Sequence, residues 1–211
     1  MSVAFPVILS SPSGGGKTTI ARALLARRKD VGYSVSATTR APRAGEVDGR
    51  DYHFLAEAEF LKRKARGDFA ECAQVHGLWY GTLRQEVEQV LGSGRHVILD
   101  IDVQGAAQFR RAFPQAVLIF VLPPSGEALL ARLKERGTEN AAQRTRRLQS
   151  AIAELQAVPE YQYVVVNDEL EQAIAKVSGI LDAEAMRRER LTGLERDRRS
   201  IVERLEKEIN A

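Results

Sequence analysis

The segment from Ser11 to Thr18, Ser-Pro-Ser-Gly-Gly-Gly-Lys-Thr, has the residue types and spacing of a loop that binds phosphate groups. Glycines let backbone N–H groups turn inward around an anion, and a helix that starts after them adds unpaired N–H groups and the positive end of its dipole. We expect Lys17 to reach the β- and γ-phosphates of a nucleotide and Thr18 to ligate Mg²⁺. The residues expected around the phosphates are Ser11, Pro12, Ser13, Gly14, Gly15, Gly16, Lys17 and Thr18.

The first position of this loop departs from the usual pattern, because Ser11 stands where glycine is expected. The rest of the loop follows an apolar strand-like run and opens a helical stretch, as a phosphate-binding loop requires. The alternative is an ordinary glycine-rich turn between a strand and a helix.

Two carboxylates, Asp100 and Asp102, close a second apolar strand-like run. A carboxylate at the point where a parallel strand opens into a crevice is well placed to hold the waters of Mg²⁺ or a substrate. Alternate residues of a strand point to the same face, so we expect this pair to share a face. The alternative is an acid that caps the following helix.

Two arginines three positions apart, Arg40 and Arg43, flank a turn stiffened by Pro42. Their planar guanidinium groups match phosphate oxygens and can converge on one phosphate. Tyr52 and Tyr80 can add hydroxyl donors to the same site. The alternative is a solvated surface loop.

The elements that must position these groups are apolar strand-like runs alternating with helical stretches. Near-continuous β-branched runs in this alternation predict an α/β fold whose parallel sheet is covered by helices on both faces. The predicted strands are residues 3–10, 33–38, 97–102, 117–122 and 164–166. The predicted helices are residues 18–28, 104–112, 125–136, 140–157 and 168–190.

The segment 36–94 breaks this rhythm with turns, short strand candidates and a charged helix near residues 57–66, which indicates an insertion with its own small α+β fold. The polar, arginine-rich stretch 137–147 suits a mobile cover. The predicted organisation is a core domain over 1–35 and 95–185, an insertion over 36–94, a helical lid near 137–150 and a C-terminal helical extension over 186–211.

Apolar residues of the extension 186–211 partly follow helical spacing. This pattern favours an amphipathic helix packed on its own domain. A dimer contact is the alternative.

Composition limits the classes of protein that this chain can belong to. Its 211 residues are 44% hydrophobic and 28% charged, the usual balance of a soluble globular protein. The single cysteine, Cys72, excludes an internal disulfide and a cysteine-based zinc cluster, and three scattered histidines disfavour a catalytic zinc site. The longest apolar run, residues 116–122, is too short for a membrane span. No basic region precedes the apolar start, which argues against a secretory signal and for a cytoplasmic protein.

Taken together, the motifs resemble those of the guanylate kinase family, in family order and over roughly residues 5–170. Enzymes of this family transfer the γ-phosphoryl group of ATP to GMP, giving ADP and GDP, with Mg²⁺. The resemblance therefore implies a P-loop NTPase-type core, a GMP-binding insertion and a lid. The segments that carry it are residues 11–19, 34–46, 51–52, 79–82, 98–105 and 136–139.

The resemblance also implies a role for individual residues. In the GMP site it places the phosphate on Arg40, Arg43, Tyr52 and Tyr80, and the guanine on Ser36, Glu71, Thr82 and Asp102. On the ATP side it places Arg132 near the phosphates, Asn167 near the adenine, and Mg²⁺ on Thr18 and Asp100. The implied catalytic residues are Lys17, Arg40, Arg136 and Arg147, the last two closing from the lid.

The chain departs from the family at two further places: Leu78-Trp79 stands where Asn-Tyr is more frequent, and the tail beyond Met186 inherits no role. The expected partners are GMP and ATP, with no nucleic acid and no membrane. We expect a monomer or a homo-oligomer, with the C-terminal helix as a candidate contact.

Other functions stay open from the sequence. Guanylate-kinase-like domains also serve as peptide-binding scaffold modules, which typically lose the loop lysine, whereas this chain keeps Lys17. A small kinase of a sugar phosphate would not need the residues expected to bind guanine. The net charge of +3 is too small to argue for a nucleic-acid binder, and no platform of alternating aromatic and basic residues is present.

Overall fold

The core of the molecule is a five-stranded parallel sheet. The computed structural model describes residues 2–75, 77–134 and 141–210 of the chain. From one edge of the core sheet to the other, its strands are β2 (Val31–Tyr33), β7 (His96–Asp100), β1 (Pro6–Ser10), β8 (Val117–Leu122) and β9 (Tyr163–Val166). The predicted α/β fold class with a parallel sheet is confirmed.

Both faces of the core sheet are buried under helices. Val7 and Leu9 of β1 pack into one apolar cluster and Ile8 into the other, because successive strand residues point to opposite faces. A strand buried on both sides has no polar face, which is why β1 is a continuous apolar run. The helices of the core are α1 (Lys17–Arg27), α3 (Arg84–Gly92), α4 (Val103–Ala112), α5 (Gly126–Lys134), α6 (Ala141–Gln156) and α7 (Leu170–Ala185).

A second, four-stranded sheet lies between β2 and α3 along the chain, in the order β4-β3-β6-β5. Its small apolar core is built on Ala37, Phe60, Phe69 and Leu83. The elements are β3 (Ser36–Thr38), β4 (His53–Phe54), α2 (Glu57–Arg66), β5 (Phe69–Val75) and β6 (Leu78–Leu83).

Several predicted elements have different bounds in the structure, including the first strand, predicted over residues 3–10, which begins at Pro6. The strand predicted over residues 33–38 is two strands in separate sheets, because the chain passes from the core sheet to the small sheet between Tyr33 and Ser36. The strand predicted over residues 97–102 ends at Asp100. The helix predicted over residues 168–190 ends at Ala185, and a short 3₁₀ turn, Arg188–Arg190, follows it.

The C-terminal extension contains the last helix, α8 (Leu194–Ile209), which buries none of its residues. The expectation that this helix packs on its own domain is therefore wrong for the described chain. Its apolar side chains lie on an exposed surface, with Ile201 62% and Ile209 83% exposed. None of the helices in the described part of the chain has the length and apolar character of a membrane span.

The residues that precede α8 are fastened to the core through a buried carboxylate. Glu184 is 3% exposed and accepts hydrogen bonds from the Tyr163 hydroxyl at 2.6 Å and the Arg190 guanidinium at 3.0 Å. Arg190 also stacks over the Phe5 ring, with its guanidinium carbon 3.9 Å from the ring centroid. The extension therefore has a packed beginning and an exposed helix.

We predict that removing α8 and removing the packed beginning have different effects on stability. A chain that ends at Thr192 keeps Arg190, and its Tm should stay within about 2 °C of the full chain, as for a surface change. A chain that ends at Met186 leaves Glu184 without its arginine, which costs about 3 kcal/mol, or roughly 6–12 °C in Tm. Calorimetry of both truncations checks this, and equal Tm values for the two would contradict it.

Candidate active site

The phosphate loop, residues 11–16, takes a conformation that depends on its glycines. Gly14 and Gly16 have φ angles of +85° and +94°, which side chains with a Cβ rarely adopt. A Cβ on Gly16 would lie 2.4 Å from the Asn167 side-chain nitrogen. The glycines thus shape the turn between β1 and α1, and Lys17 and Thr18 begin the helix directly after it.

Ser11 fits the position where the motif usually has glycine. Its side chain is 1% exposed, and its hydroxyl donates to the Pro12 carbonyl oxygen at 3.1 Å. The Ser11 Cβ lies only 2.6 Å from where a Cβ on Gly15 would be. The serine is accommodated because Gly15 leaves that space empty.

Asn167, which follows the edge strand β9, holds the loop, and Arg132 in turn bonds to Asn167. The Asn167 side-chain amide donates to the Gly15 carbonyl oxygen at 2.9 Å, and the Asn167 carbonyl accepts from Arg132 at 3.1 Å. Asn167 is buried. The amide nitrogen expected near an adenine is therefore bound to the loop itself.

A hydrogen bond joins the loop helix to the neighbouring strand. The Thr18 hydroxyl donates to Asp100 at the end of β7, over 2.5 Å. The Ser10 hydroxyl, at the end of β1, donates to the Ile101 carbonyl just beyond β7 at 2.8 Å and joins the ends of these two strands. A hydroxyl and a carboxylate this close are hard oxygen donors of the kind that Mg²⁺ prefers. No cluster of three or more acids, histidines or cysteines with metal-ligand geometry occurs within the described ranges.

A cleft of about 240 Å³ opens between the ends of β2 and β7 and the small sheet. It brings together six of the residues predicted from the sequence: Ser36, Tyr52, Glu71, Tyr80, Asp100 and Asp102. Because Asp100 also binds Thr18, this cleft and the phosphate loop lie on two sides of one carboxylate.

Glu71 is a buried acid in the wall of this cleft and is only 9% exposed. Its Oε1 accepts from the Thr82 hydroxyl at 2.6 Å. Burial raises the pKa of Glu71, the Thr82 hydroxyl opposes that shift, and the nearby Asp102 adds to it. Thr82 is fully buried and holds Glu71 from behind.

Asp102 lies beyond the end of β7 and caps α4, accepting from the Gly105 N–H at 2.7 Å. The prediction that Asp100 and Asp102 share one face of a strand is therefore wrong. Both still line the cleft. Glu71 Oε2 and Asp102 Oδ1 lie 3.2 and 3.4 Å from where a Cβ on Gly105 would be, so the missing side chain lets two acids approach each other.

Arg40 is oriented by Glu46, which it meets through two hydrogen bonds of 3.0 and 2.8 Å. Glu46 also accepts from the Arg43 N–H at 2.7 Å, so the turn between the arginines is fixed. The Arg40 guanidinium lies 5.4 Å from the centroid of the Tyr52 ring. The side chain of Arg43 is exposed.

Of the two arginines expected to close from the lid, Arg147 lies within the described residues and Arg136 does not. Arg136 lies outside the described residues, as does the part of the expected lid over 137–140. Arg147 lies on α6 and is half-buried.

Sequence reasoning missed two residues beside the site. Glu154 of α6 accepts a hydrogen bond from the Ser13 N–H in the phosphate loop at 3.2 Å. The Ser34 hydroxyl is buried beside the cleft and has no hydrogen-bond partner among the residues described. A lone acid in a helix and a serine next to a strand carry no signal in a single sequence, so neither could be found from its spacing.

Comparisons with known proteins assign most of the chain to one family. The family model described as Guanylate kinase matches residues 4–184. Guanylate kinase of Clostridium perfringens strain SM101 is 48% identical over 185 residues, which is 88% of this chain and 86% of that protein. Guanylate kinase of Paramagnetospirillum magneticum is 49% identical over 189 residues, 89% of this chain and 88% of that protein.

A solved structure of a member of the same family has a similar fold. The crystal structure of guanylate kinase from Anaplasma phagocytophilum matches with a TM-score of 0.72 and 36% identity. The match covers 93% of this chain and 94% of that one. The family model spans both sheets and stops before α8.

We predict that Glu71→Gln makes the ligand-free protein more stable relative to wild type as the pH rises. The folded-state pKa of Glu71 lies above the ordinary carboxyl value, so its contribution to the free energy of unfolding is full below about pH 4.5 and is lost as the pH rises through the folded-state pKa. Glutamine does not ionise and can still accept from Thr82. Urea unfolding from pH 4 to pH 8 measures the difference.

The matched control is Glu88→Gln, which changes an exposed glutamate of α3. Its difference from wild type should not vary across the same pH range. A stability difference for Glu71→Gln that stays constant, or that reverses with rising pH, would contradict the burial argument.

Proposed function

The chain belongs to the guanylate kinase family, and we propose that it transfers the γ-phosphoryl group of ATP to GMP, with Mg²⁺, giving GDP and ADP. This makes it a nucleoside monophosphate kinase of purine nucleotide metabolism and GMP recycling. We further propose a cytoplasmic monomer or homo-oligomer with no nucleic-acid or membrane partner. The observation that carries the proposal is the position of Asp100, which binds the phosphate-loop helix on one side and lines the acceptor cleft on the other.

The donor phosphates belong in the loop between Ser11 and Thr18. The Ser13 and Gly15 N–H groups donate to Glu154 and to the Pro12 carbonyl. The remaining N–H groups of the loop and of the start of α1 offer a site for an anion. The Lys17 side chain starts at the first residue of that helix and neutralises the β- and γ-phosphates.

Mg²⁺ fits the pair formed by Thr18 and Asp100. This cation is usually held by one or two protein oxygens together with substrate phosphates, which agrees with so small a donor set. When bound, it supplies positive charge beside the β- and γ-phosphate oxygens. The protein contributes a hydroxyl and a carboxylate whose positions are already fixed by each other.

The acceptor phosphate belongs beside Arg40 and Arg43, with the Tyr52 and Tyr80 hydroxyls as further donors. Arg40 is held by Glu46 and keeps guanidinium N–H groups for a phosphate, since the guanidinium carries five. A phosphate monoester is largely ionised at neutral pH. The attacking oxygen therefore needs no general base, and the arginines reduce the repulsion between acceptor and donor.

The base of the acceptor belongs against Glu71 and Asp102. Guanine presents two donors on one edge, N1–H and the 2-amino group, and a carboxylate accepts both. Adenine presents an acceptor at N1, which two acids repel. Ser36 at the start of β3 and Thr82, which holds Glu71, complete the polar lining.

Catalysis by this arrangement is positioning and charge stabilisation, as in other phosphoryl transfers. We expect Lys17 and the lid arginines Arg136 and Arg147 to stabilise the charge that spreads over the moving phosphoryl group. Closure of the lid also keeps water from taking that group.

We predict that Lys17→Ala folds and loses at least about 10²-fold in kcat, because it removes a cation that acts mainly in the transition state. Both kcat and kcat/KM for ATP and GMP should fall together. A coupled assay of ADP formation and a circular dichroism spectrum measure activity and folding.

The matched control is Lys176→Ala, which removes an exposed lysine from α7 on the outside of the core. Its kcat should equal that of wild type. A normal kcat for folded Lys17→Ala would remove the loop from the mechanism, and absence of any GMP-dependent turnover by wild type would favour the peptide-binding alternative.

A further inference from the structure

Glu154 is the acid that joins helix α6 to the phosphate loop. Its Oε2 accepts from the Ser13 N–H at 3.2 Å, although the two residues are 141 positions apart. None of the roles assigned above uses this residue. The contact matters because it connects the helix that carries an expected lid arginine to the backbone that binds the donor phosphates.

The surroundings of Glu154 favour this contact over a solvated position. The side chain is half-buried, and a buried carboxylate needs hydrogen bonds or opposite charge. Burial raises its pKa, while the Ser13 N–H and the charge of Lys17 lower it. Both groups that favour the ionised form therefore belong to the phosphate loop or the first residue of α1.

The face of α6 that carries Glu154 also carries Arg147. The two residues are seven positions apart, which is two helical turns, or about 10.5 Å along the axis. Ala151 lies between them on that face and is 3% exposed. Together with Leu148 and Leu155 it packs on α5, so apolar contacts hold this part of α6 against that helix.

Apolar contacts with α5 do not fix the position of α6 relative to the phosphate loop, and a shift of α6 toward or away from that loop moves the side chains on this face. The hydrogen bond from Ser13 to Glu154 removes that freedom at one end of the face. Misplacement of a charge-stabilising group by about 1 Å can cost about 10²-fold in rate. The contact therefore has a kinetic consequence as well as a structural one.

We propose that Glu154 is a positioning residue: by holding α6 against the phosphate loop, it sets where Arg147 lies relative to the transferred phosphoryl group. This inference rests on the proposed function, because it assumes that Arg147 stabilises the moving phosphoryl group.

The test is a double-mutant cycle on the full chain with wild type, Glu154→Ala, Arg147→Ala and the double variant. We expect each single variant to lose about 10–10²-fold in kcat, with KM for GMP changed less than about twofold. Because Glu154 acts through Arg147, the double variant should be no slower than Arg147→Ala alone. Two residues that act independently would instead give losses that multiply.

Two further variants separate the hydrogen bond from a general effect on the helix. Glu154→Gln keeps an oxygen that can accept from the Ser13 N–H and should recover most of kcat. Gln156→Ala, an exposed position at the end of α6, should leave kcat unchanged. If Glu154→Ala does not fold, Glu154→Asp replaces it in the cycle, since its carboxylate is one methylene too short for the contact.

The outcomes distinguish the inference from the proposed function. A folded Glu154→Ala with wild-type kcat, multiplying losses in the double variant, or an Arg147→Ala with wild-type kcat overturns the positioning role while wild-type turnover of GMP still stands. Failure of the wild-type chain to phosphorylate GMP overturns the proposed function itself.

Discussion

The backbone of the phosphate loop must keep its N–H groups turned toward an anion, and the rest of the molecule depends on that constraint. Gly14 and Gly16 give the loop positive φ angles, but glycine allows many other conformations as well. The Asn167 side-chain amide donates a hydrogen bond to the Gly15 carbonyl oxygen at 2.9 Å, and this bond selects one of those conformations. Asn167 directly follows β9, and its own N–H donates to the Leu122 carbonyl oxygen. The edge of the core sheet therefore fixes the position of the residue that holds the loop.

The carboxylates near the loop also have defined partners. Asp100 accepts from Thr18 while lining the acceptor cleft, so one carboxylate relates the donor side to the acceptor side. Burial raises the pKa of Glu71, and the nearby Asp102 adds to that shift. An ionised acid in this position lowers the stability of the ligand-free protein. The same pair of acids suits the edge of a base that offers two hydrogen-bond donors. Stability is thus reduced at the place where selectivity is needed.

The fold class followed from the sequence because buried parallel strands are continuous apolar runs and the loop motif fixes a strand before it and a helix after it. The residues that line the cleft could be predicted from the sequence only in part. Ser36, Tyr52, Glu71, Tyr80 and Asp102 meet there, but their grouping came from family motifs rather than from spacing.

What the sequence could not provide depends on tertiary contacts. Asp102 was expected in a strand, with a helix cap as the alternative, and the structure shows the cap. The apolar pattern of α8 is the same whether the helix packs or is exposed, so its burial could not be read from periodicity. Glu154 became visible only when α6 and Ser13 were placed side by side.

The central claim is that the cleft beside Asp100 selects the guanine edge of a nucleoside monophosphate whose phosphate then meets the loop-bound donor. It is tested most directly by kcat/KM of the wild-type chain for GMP, dGMP, AMP, UMP and CMP with ATP and Mg²⁺. We expect kcat/KM for GMP to exceed that for AMP by about 10⁴ or more, because adenine leaves the buried Glu71 carboxylate unpaired. Comparable kcat/KM values for GMP and AMP would contradict it.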